Sequence, residues 1–346
     1  MDIYWSKVLN QNRETKIYTF AREMQRKAEL IGQLNEWGKQ NVPFVFLFDF
    51  ALKNPIIFPL NNPLKEVFWN IPDFSNSHES DKKCELKSWK TTPVSFEKFK
   101  TGFNQIMWHI HNGDTYLLNY TQPTQVETNL SLKEIFQICS APYKIYLKDK
   151  FVCFSPETFV KIRDGKIYSY PMKGTIDAGI ENAEQIILTD SKEIAEHNTI
   201  VDLIRNDLSL VAENVVVEKF RYLNHIQTNN KNLWQVSSEI SGELPKNYAE
   251  SIGDILFALL PAGSVSGAPK KKTLEIIAKT ENYDRGYYTG VFGIFDGENL
   301  DSCVLIRYIE NQNGQLVYKS GGGITFMSEA EKEYDEMLKK VYVPVV

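Results

Sequence analysis

Cysteine is scarce in this chain of 346 residues: Cys84, Cys139, Cys153 and Cys303 lie far apart, with no CxxC pair and no Cys/His cluster. That spacing suggests neither a disulfide framework nor a zinc site, and it fits a reducing compartment. No stretch approaches eighteen uninterrupted apolar residues, so no ordinary membrane-spanning helix is expected. The opening residues Met1-Asp2-Ile3-Tyr4-Trp5 lack the basic and apolar regions of a secretory leader, and a soluble cytoplasmic protein is the expectation. Excess positive charge is missing too. A net charge of -5 gives no general affinity for polyanions, which removes nucleic acid from the expected partners. No repeat, heptad array or GxxxxGK[ST] loop occurs, and no cysteine sits in the G-x-C-x-G elbow of a glutaminase.

What is present is enough apolar material, 42% of the residues, to bury one large core or two ordinary ones. Residues 1–40 are charged and polar with a helical pattern over Ala21 to Leu34, and Pro43 to Phe50 then reads as a buried strand. From Asn70 to Lys90 the composition turns polar, which predicts an exposed loop. Phe96, Phe99, Phe103, Ile106, Met107 and Ile110 recur at helical spacing and stop at Asn112-Gly113, a glycine C-cap. A strand is expected over Thr115 to Thr121. Two strand-like runs follow, with Asp164-Gly165 as the hairpin turn into Lys166 to Tyr170. A polar, acidic helix is predicted from about Asn182 to His197 and on through Ile204. Tyr287 to Phe326 is a meander with turns at Asp296-Gly297 and Asn313-Gly314, and Ser328 to Val341 closes as a helix. Strands and hairpins with helices inserted, and no βαβ rhythm, predict an α+β fold with largely antiparallel sheets.

Chemistry gathers at a few places. Lys173 lies between Pro171 and Gly174, next to a strand end. Partial desolvation there would make its amine a nucleophile; an ordinary surface lysine after a hairpin is the plainer reading. Glu193 and Glu196 share one helix face, as do Glu333 and Glu336. Two such pairs suit a hard cation such as Mg²⁺, although i, i+3 acidic pairs are also common on solvated faces. The run Gly321-Gly322-Gly323 can turn backbone N–H groups toward an anion, or serve as a plain turn. Pro261 to Lys270 is a small-residue loop before a helix, suited to an anionic ligand.

Ser155-Pro156-Glu157, PMKGT at 171–175, AEHN at 195–198, VDLIRND at 201–207, GSVSGAPK at 263–270, RGYYTG at 285–290, IR at 306–307, GGGI at 321–324 and EYDE at 333–336 resemble, in order, the chorismate-utilising enzymes. The resemblance runs from Ser95 to the C-terminus. It implies a single chorismate-binding domain over 1–346, with 1–90 a shortened, divergent N-terminal part and 95–346 the motif-bearing core. It also implies an active site packed around by helices and antiparallel sheets, dependent on Mg²⁺. In the aminodeoxychorismate branch a lysine at the Lys173 position attacks C2 of chorismate, whereas the anthranilate and salicylate branches carry alanine there. Glu157 matches the carboxylate that works beside that lysine as general acid or base. Leu117 stands where water-using members carry a basic lysine, so ammonia from a glutamine amidotransferase partner is the implied nucleophile.

The same resemblance implies that Glu196 and Glu336 bind Mg²⁺, with Glu193 and Glu333 reaching it directly or through water. Arg307 and Tyr288 would grip the enolpyruvyl carboxylate. Ser264, Thr175 and the glycines Gly321 to Gly323 would line the substrate. Gln235 stands where the family usually has a histidine near the leaving hydroxyl; it can hydrogen-bond that hydroxyl but cannot protonate it. The implied activity is conversion of chorismate and ammonia to 4-amino-4-deoxychorismate, for 4-aminobenzoate and folate synthesis. Its rivals are the anthranilate branch and a non-catalytic chorismate-binding subunit. The N-terminal part lacks the LLES-type segment that binds tryptophan in regulated relatives, so tryptophan inhibition is not expected.

Overall fold

A computed structural model describes residues 24–77, 84–226 and 232–345. The reading of Met1 to Trp5 lies outside them. Helix α1 spans residues 24–39. The strands before the second helix are β1 Phe44–Phe48, β2 Ile56–Pro59, β3 Val67–Ile71, β4 Phe74–Ser75 and β5 Trp89–Pro93. Then come α2 Phe96–His111, β6 Leu117–Thr128, α3 Leu132–Ile138, β7 Tyr143–Leu147, β8 Phe151–Ser155, β9 Thr158–Arg163, β10 Lys166–Ser169 and β11 Met172–Asp177. Next are α4 Ala183–Thr189, α5 Ser191–Leu208, β12 Glu213–Ile226, β13 Leu233–Glu243, α6 Ile252–Leu259, β14 Gly267–Ala268 and α7 Lys270–Thr280. The meander β15 Val291–Phe295, β16 Leu300–Val304, β17 Tyr308–Gln312 and β18 Gln315–Ile324 leads into α8 Ala330–Lys339.

Local chemistry accounts for the boundaries. All five residues of β1 are buried, as a strand covered on both faces requires. Ser95 caps α2 by accepting from the Lys98 amide, and Gly113 follows at φ +76°. Asp164 and Gly165 both take positive φ, the tight hairpin geometry expected between β9 and β10.

The strands form two nine-stranded antiparallel sheets. One runs β11-β13-β10-β9-β16-β15-β1-β2 with β12 on β13; the other runs β14-β6-β18-β17-β8-β7-β3-β4 with β5 on β6. Val45, Phe292, Ile294 and Cys303 of the first pack directly on Trp69, Ile145, Cys153 and Tyr308 of the second. The outer face of the first is covered by Leu34 of α1, Val201 and Leu208 of α5, and Leu256 of α6. Ile135 and Phe136 of α3 cover part of the second, while α2, α7 and α8 close over β6 and β18 through Phe99, Phe103, Ile276 and Met337. The result is a helix–sheet–sheet–helix stack, the α+β architecture expected.

Two expectations need correction. The acidic helix is two helices: Asp190 leaves helical geometry at ψ 117°, ends α4 and caps α5 through Glu193 N. Periodicity runs through that break because an N-capping aspartate is also an ordinary polar helix residue. Asn70 to Lys90 is not one continuous loop either: Asn70 and Ile71 finish β3, Phe74 and Ser75 pair back on them as β4, and Trp89 begins β5.

Candidate active site

The site lies where the edge strand β11 of one sheet meets the glycine-rich end of β18 in the other. Pairing of β11 with β13 slips between Met172 and Thr175, and Gly174 takes φ +79°. Such an irregularity re-aims a side chain. Lys173 points across to the second sheet: a Cβ added to Gly323 would sit 3.5 Å from Lys173 Nζ and 3.1 Å from Leu117 Cδ1. The sequence placed Lys173 next to a strand end, and it falls within the short strand itself.

Two helices bring carboxylates to this amine. Lys173 Nζ donates to Glu196 Oε2 of α5 at 3.0 Å. Lys192 Nζ spans the helices, 3.6 Å from Glu196 Oε1 and 3.9 Å from Glu333 Oε1 of α8. Lys340 Nζ donates to Glu336 Oε1 at 2.7 Å and to the Gly321 carbonyl at 2.8 Å. A Cβ on Gly174 would stand 2.6 Å from Glu193 Oε2, and one on Gly322 would stand 3.4 Å from Glu333 Oε2 and 3.5 Å from Glu336 Oε1. Gly174 needs glycine, for its positive φ and because a carboxylate presses on it, whereas the distances at Gly322 are ordinary contacts.

Crowding sets the protonation tendencies. Burial alone would lower the Lys173 pKa, but the charge and hydrogen bond of Glu196, with Glu336 and Glu333 behind it, hold it above the ordinary lysine value. Lys340 goes the other way, because burial and the charges of Lys173 and Arg307 outweigh Glu336. Glu193 is raised by burial and by Glu196; Glu333 is raised by burial and by Glu336. Burial would also raise Glu336, yet Lys340 beside it brings it below the usual value.

Opposite this cluster lies Glu157, just beyond β8. Ser264 donates to Glu157 Oε1 at 2.5 Å. Burial raises the Glu157 pKa, against the opposing pull of Ser264, Lys340, Lys173 and Arg307. Arg307 donates to the Lys340 carbonyl at 2.8 Å and stacks on Tyr342. Tyr288 is 4% exposed, its ring 5.8 Å from that of Tyr308. The Ser264 loop is tied from below by Lys270, which donates to Asp207 Oδ2 at 3.1 Å and to the Leu259 carbonyl at 3.2 Å. Amines, carboxyl groups and a guanidinium therefore share one region, suited to a small polyanionic substrate.

The chain's donor set suits a hard cation in kind, since Glu193, Glu196, Glu333 and Glu336 offer only oxygens. Among the described residues no three carboxylate, imidazole or thiol groups stand close enough together, as placed, to share an ion. Lys192 Nζ instead bridges Glu196 and Glu333, so a positive charge already answers the two helices.

Most of the sequence-derived residues come together: Lys173, Glu157, Ser264, Arg307, Tyr288, the four glutamates and Gly321 to Gly323. Thr175 and Gln235 face one another across β11 and β13, with Thr175 exposed and Gln235 half-buried. Neither makes a side-chain hydrogen bond among the described residues. Sequence reasoning missed Lys192 and Lys340. The second had a usable signal, because it follows Glu336 by one helical turn.

Residues 60–345 match the family described as chorismate binding enzyme. An uncharacterized PabA-like protein of Haemophilus influenzae is 50% identical over 316 residues, spanning 91% of this chain and 96% of that protein. Anthranilate synthase component 1 of Acetivibrio thermocellus is 33% identical over 303 residues, spanning 81% of this chain and 58% of that one. Aminodeoxychorismate synthase component 1 of Bacillus subtilis is 31% identical over 271 residues, spanning 72% and 55%. Among solved structures, the menaquinone-specific isochorismate synthase of Escherichia coli shares the fold, with TM-score 0.68 and 16% identity over 92% of this chain and 81% of that one.

Proposed function

The chain belongs to the chorismate-binding enzyme family, and on that premise we propose that it is the chorismate-converting component of an aminodeoxychorismate synthase. The observation that carries this reading is Lys173: its amine faces Leu117 and Gly323 in the middle of the charged cluster, with Glu157 opposite. Its relatives at about one-third identity include both anthranilate and aminodeoxychorismate synthases, so the choice of branch rests on Lys173 and Leu117 alone.

In this reading Arg307 and Tyr288 hold the enolpyruvyl carboxylate and the acidic helices lie under the ring carboxylate. Lys173, as a neutral amine, forms a bond to C2. Both ring double bonds move one position round the ring and the C4 hydroxyl leaves as water, with Glu157, whose pKa burial raises, as the candidate proton source. Ammonia then adds at C4, both double bonds shift back, the Lys173 amine is expelled from C2, and the proton shed by the new ammonium restores the Glu157 acid. Gln235 can accept a hydrogen bond from the departing hydroxyl without supplying a proton. Mg²⁺, held by Glu196 and Glu336 with Glu193 and Glu333, would neutralise the ring carboxylate. Glu196 presently holds Lys173 as an ammonium, so the attacking amine requires that contact to be released.

Leu117 offers no base for activating water, which supports ammonia as nucleophile, and a separate glutaminase subunit would deliver it. Incubation of the purified chain with chorismate, Mg²⁺ and ammonium at alkaline pH should yield aminodeoxychorismate, identified by mass. Glutamine should serve only after a glutaminase is added. Anthranilate or isochorismate as the sole product would overturn the assignment of the branch.

A further inference from the structure

Arg285 is 3% exposed, and every N–H direction of its guanidinium is used. Nε and Nη2 make paired bonds to Glu281 at 2.7 and 2.6 Å. Nη1 donates to the Val265 carbonyl at 2.8 Å and to Thr289 Oγ1 at 3.2 Å, and Nη2 donates to the Asn119 carbonyl at 2.7 Å. One planar group therefore joins three segments that reach the reacting region. Val265 follows Ser264, Thr289 follows Tyr288, and Asn119 of β6 pairs with Gly323 of β18. Glu281 extends the tie by accepting from Thr121 N and Oγ1, both at 2.8 Å. The Arg285 backbone is pinned in turn, because Lys319 Nζ donates to the Asp284 and Arg285 carbonyls.

We propose that Arg285 is a positioning residue for the reaction, acting through the Val265 carbonyl to hold Ser264 on Glu157. It touches none of the groups assigned to substrate, and its effect arrives through the loop. The planar fork matters because two carbonyls and a carboxylate lie in fixed directions; an ammonium can answer the Glu281 charge but cannot reach all of them together. The proposal rests on the placement of Glu157 and Ser264 at the reacting face, and it holds for chorismate consumption whatever the product.

The test is a double-mutant cycle of Arg285→Lys and Ser264→Ala, read as kcat and KM for chorismate consumption on folded protein. Arg285→Lys keeps the buried charge paired; Arg285→Met serves as a second variant, with thermal midpoints recorded for both. We expect kcat to fall by about 10-fold in Ser264→Ala and by no more than that in Arg285→Lys, and the double variant to fall by about 10-fold rather than the product of the two. Added guanidinium should partly restore Arg285→Met. Wild-type kcat in Arg285→Lys, or fully multiplicative losses, would overturn the proposal. If Ser264→Ala and Glu157→Gln both retain full turnover, the site assignment itself falls, and the proposal with it.

Discussion

Two buried ionic clusters lie in this molecule within reach of the same strands, and they are built on opposite rules. Around Arg285 and Glu281 every donor has an acceptor at hydrogen-bond distance, and both side chains are 2% exposed. Around Lys173 the count of acids and amines is higher and the matching is poorer. Lys192 stands 3.6 and 3.9 Å from its carboxylates, and Glu193 and Glu333 are pushed toward protonation. The first cluster is complete without a ligand; the second holds charge in tension, as a site does when its natural contents are not all protein. Burial of charge alone separates nothing, and the completeness of pairing is what distinguishes scaffold from site.

The comparison can be broken most severely at Lys173. Lys173→Ala should lower aminodeoxychorismate formation by about 10³-fold or more while chorismate still binds, because it removes a nucleophile and leaves the carboxylate holders. Calorimetric titration with chorismate, paired with product analysis by mass, checks both halves; wild-type product formation would end the covalent role. In the scaffold cluster the damage should reach stability as well as turnover. Glu281→Ala strands the Arg285 charge and should cost about 3–5 kcal/mol, seen as a lowered urea midpoint. Only a few tenths would mean the cluster is less rigidly paired than its distances imply.

His197 sits at the border of the reactive cluster, 0% exposed, with Nε2 2.7 Å from Ser238 Oγ. Burial, Arg221 and Lys173 lower its pKa to about 4. The unfolded chain therefore binds a proton near pH 6.5 that the folded chain refuses. Stability from this group is whole above pH 6.5 and is lost as pH falls toward 4, by about 3 kcal/mol at most. His197→Gln should remove that part of the slope between urea midpoints measured at pH 7.5 and 4.5; an unchanged slope would place the acid sensitivity elsewhere. The smallest effect should come from Glu336→Gln, raising the Mg²⁺ needed for half-maximal turnover by about tenfold, with matching weakening in direct Mg²⁺ titration. Undiminished wild-type turnover in excess chelator would remove the metal altogether.

Much of this was legible in the residue order. The apolar run within Pro43 to Phe50 announced β1, Asp164-Gly165 announced the hairpin between β9 and β10, and the ordered motifs pointed to the amine and the carboxylates. What escaped was whatever depends on direction rather than type. The bend at Asp190 was hidden because a capping aspartate looks like any surface acid. Lys192 went unnoticed, since only the approach of α8 from a distant part of the chain gives it Glu333. Arg285 stood inside a recognised motif, yet its five donors reach residues separated by up to 166 positions, and no local pattern encodes such reach.

The glycine run of β18 has a consequence for how closely two strands can lie in the sheet that faces the lysine. A first side-chain carbon at Gly321 would run into the Tyr120 carbonyl oxygen and stand 2.7 Å from Thr121 Cα, whereas at Gly322 it would meet two carboxylate oxygens at an ordinary 3.4 to 3.5 Å. A single methyl group at Gly321 would therefore act as a wedge between β18 and β6, while one at Gly322 could be taken without moving α8. The seating of the strands opposite the amine thus turns on one hydrogen atom at Gly321 and not on the clearance to the acidic helix.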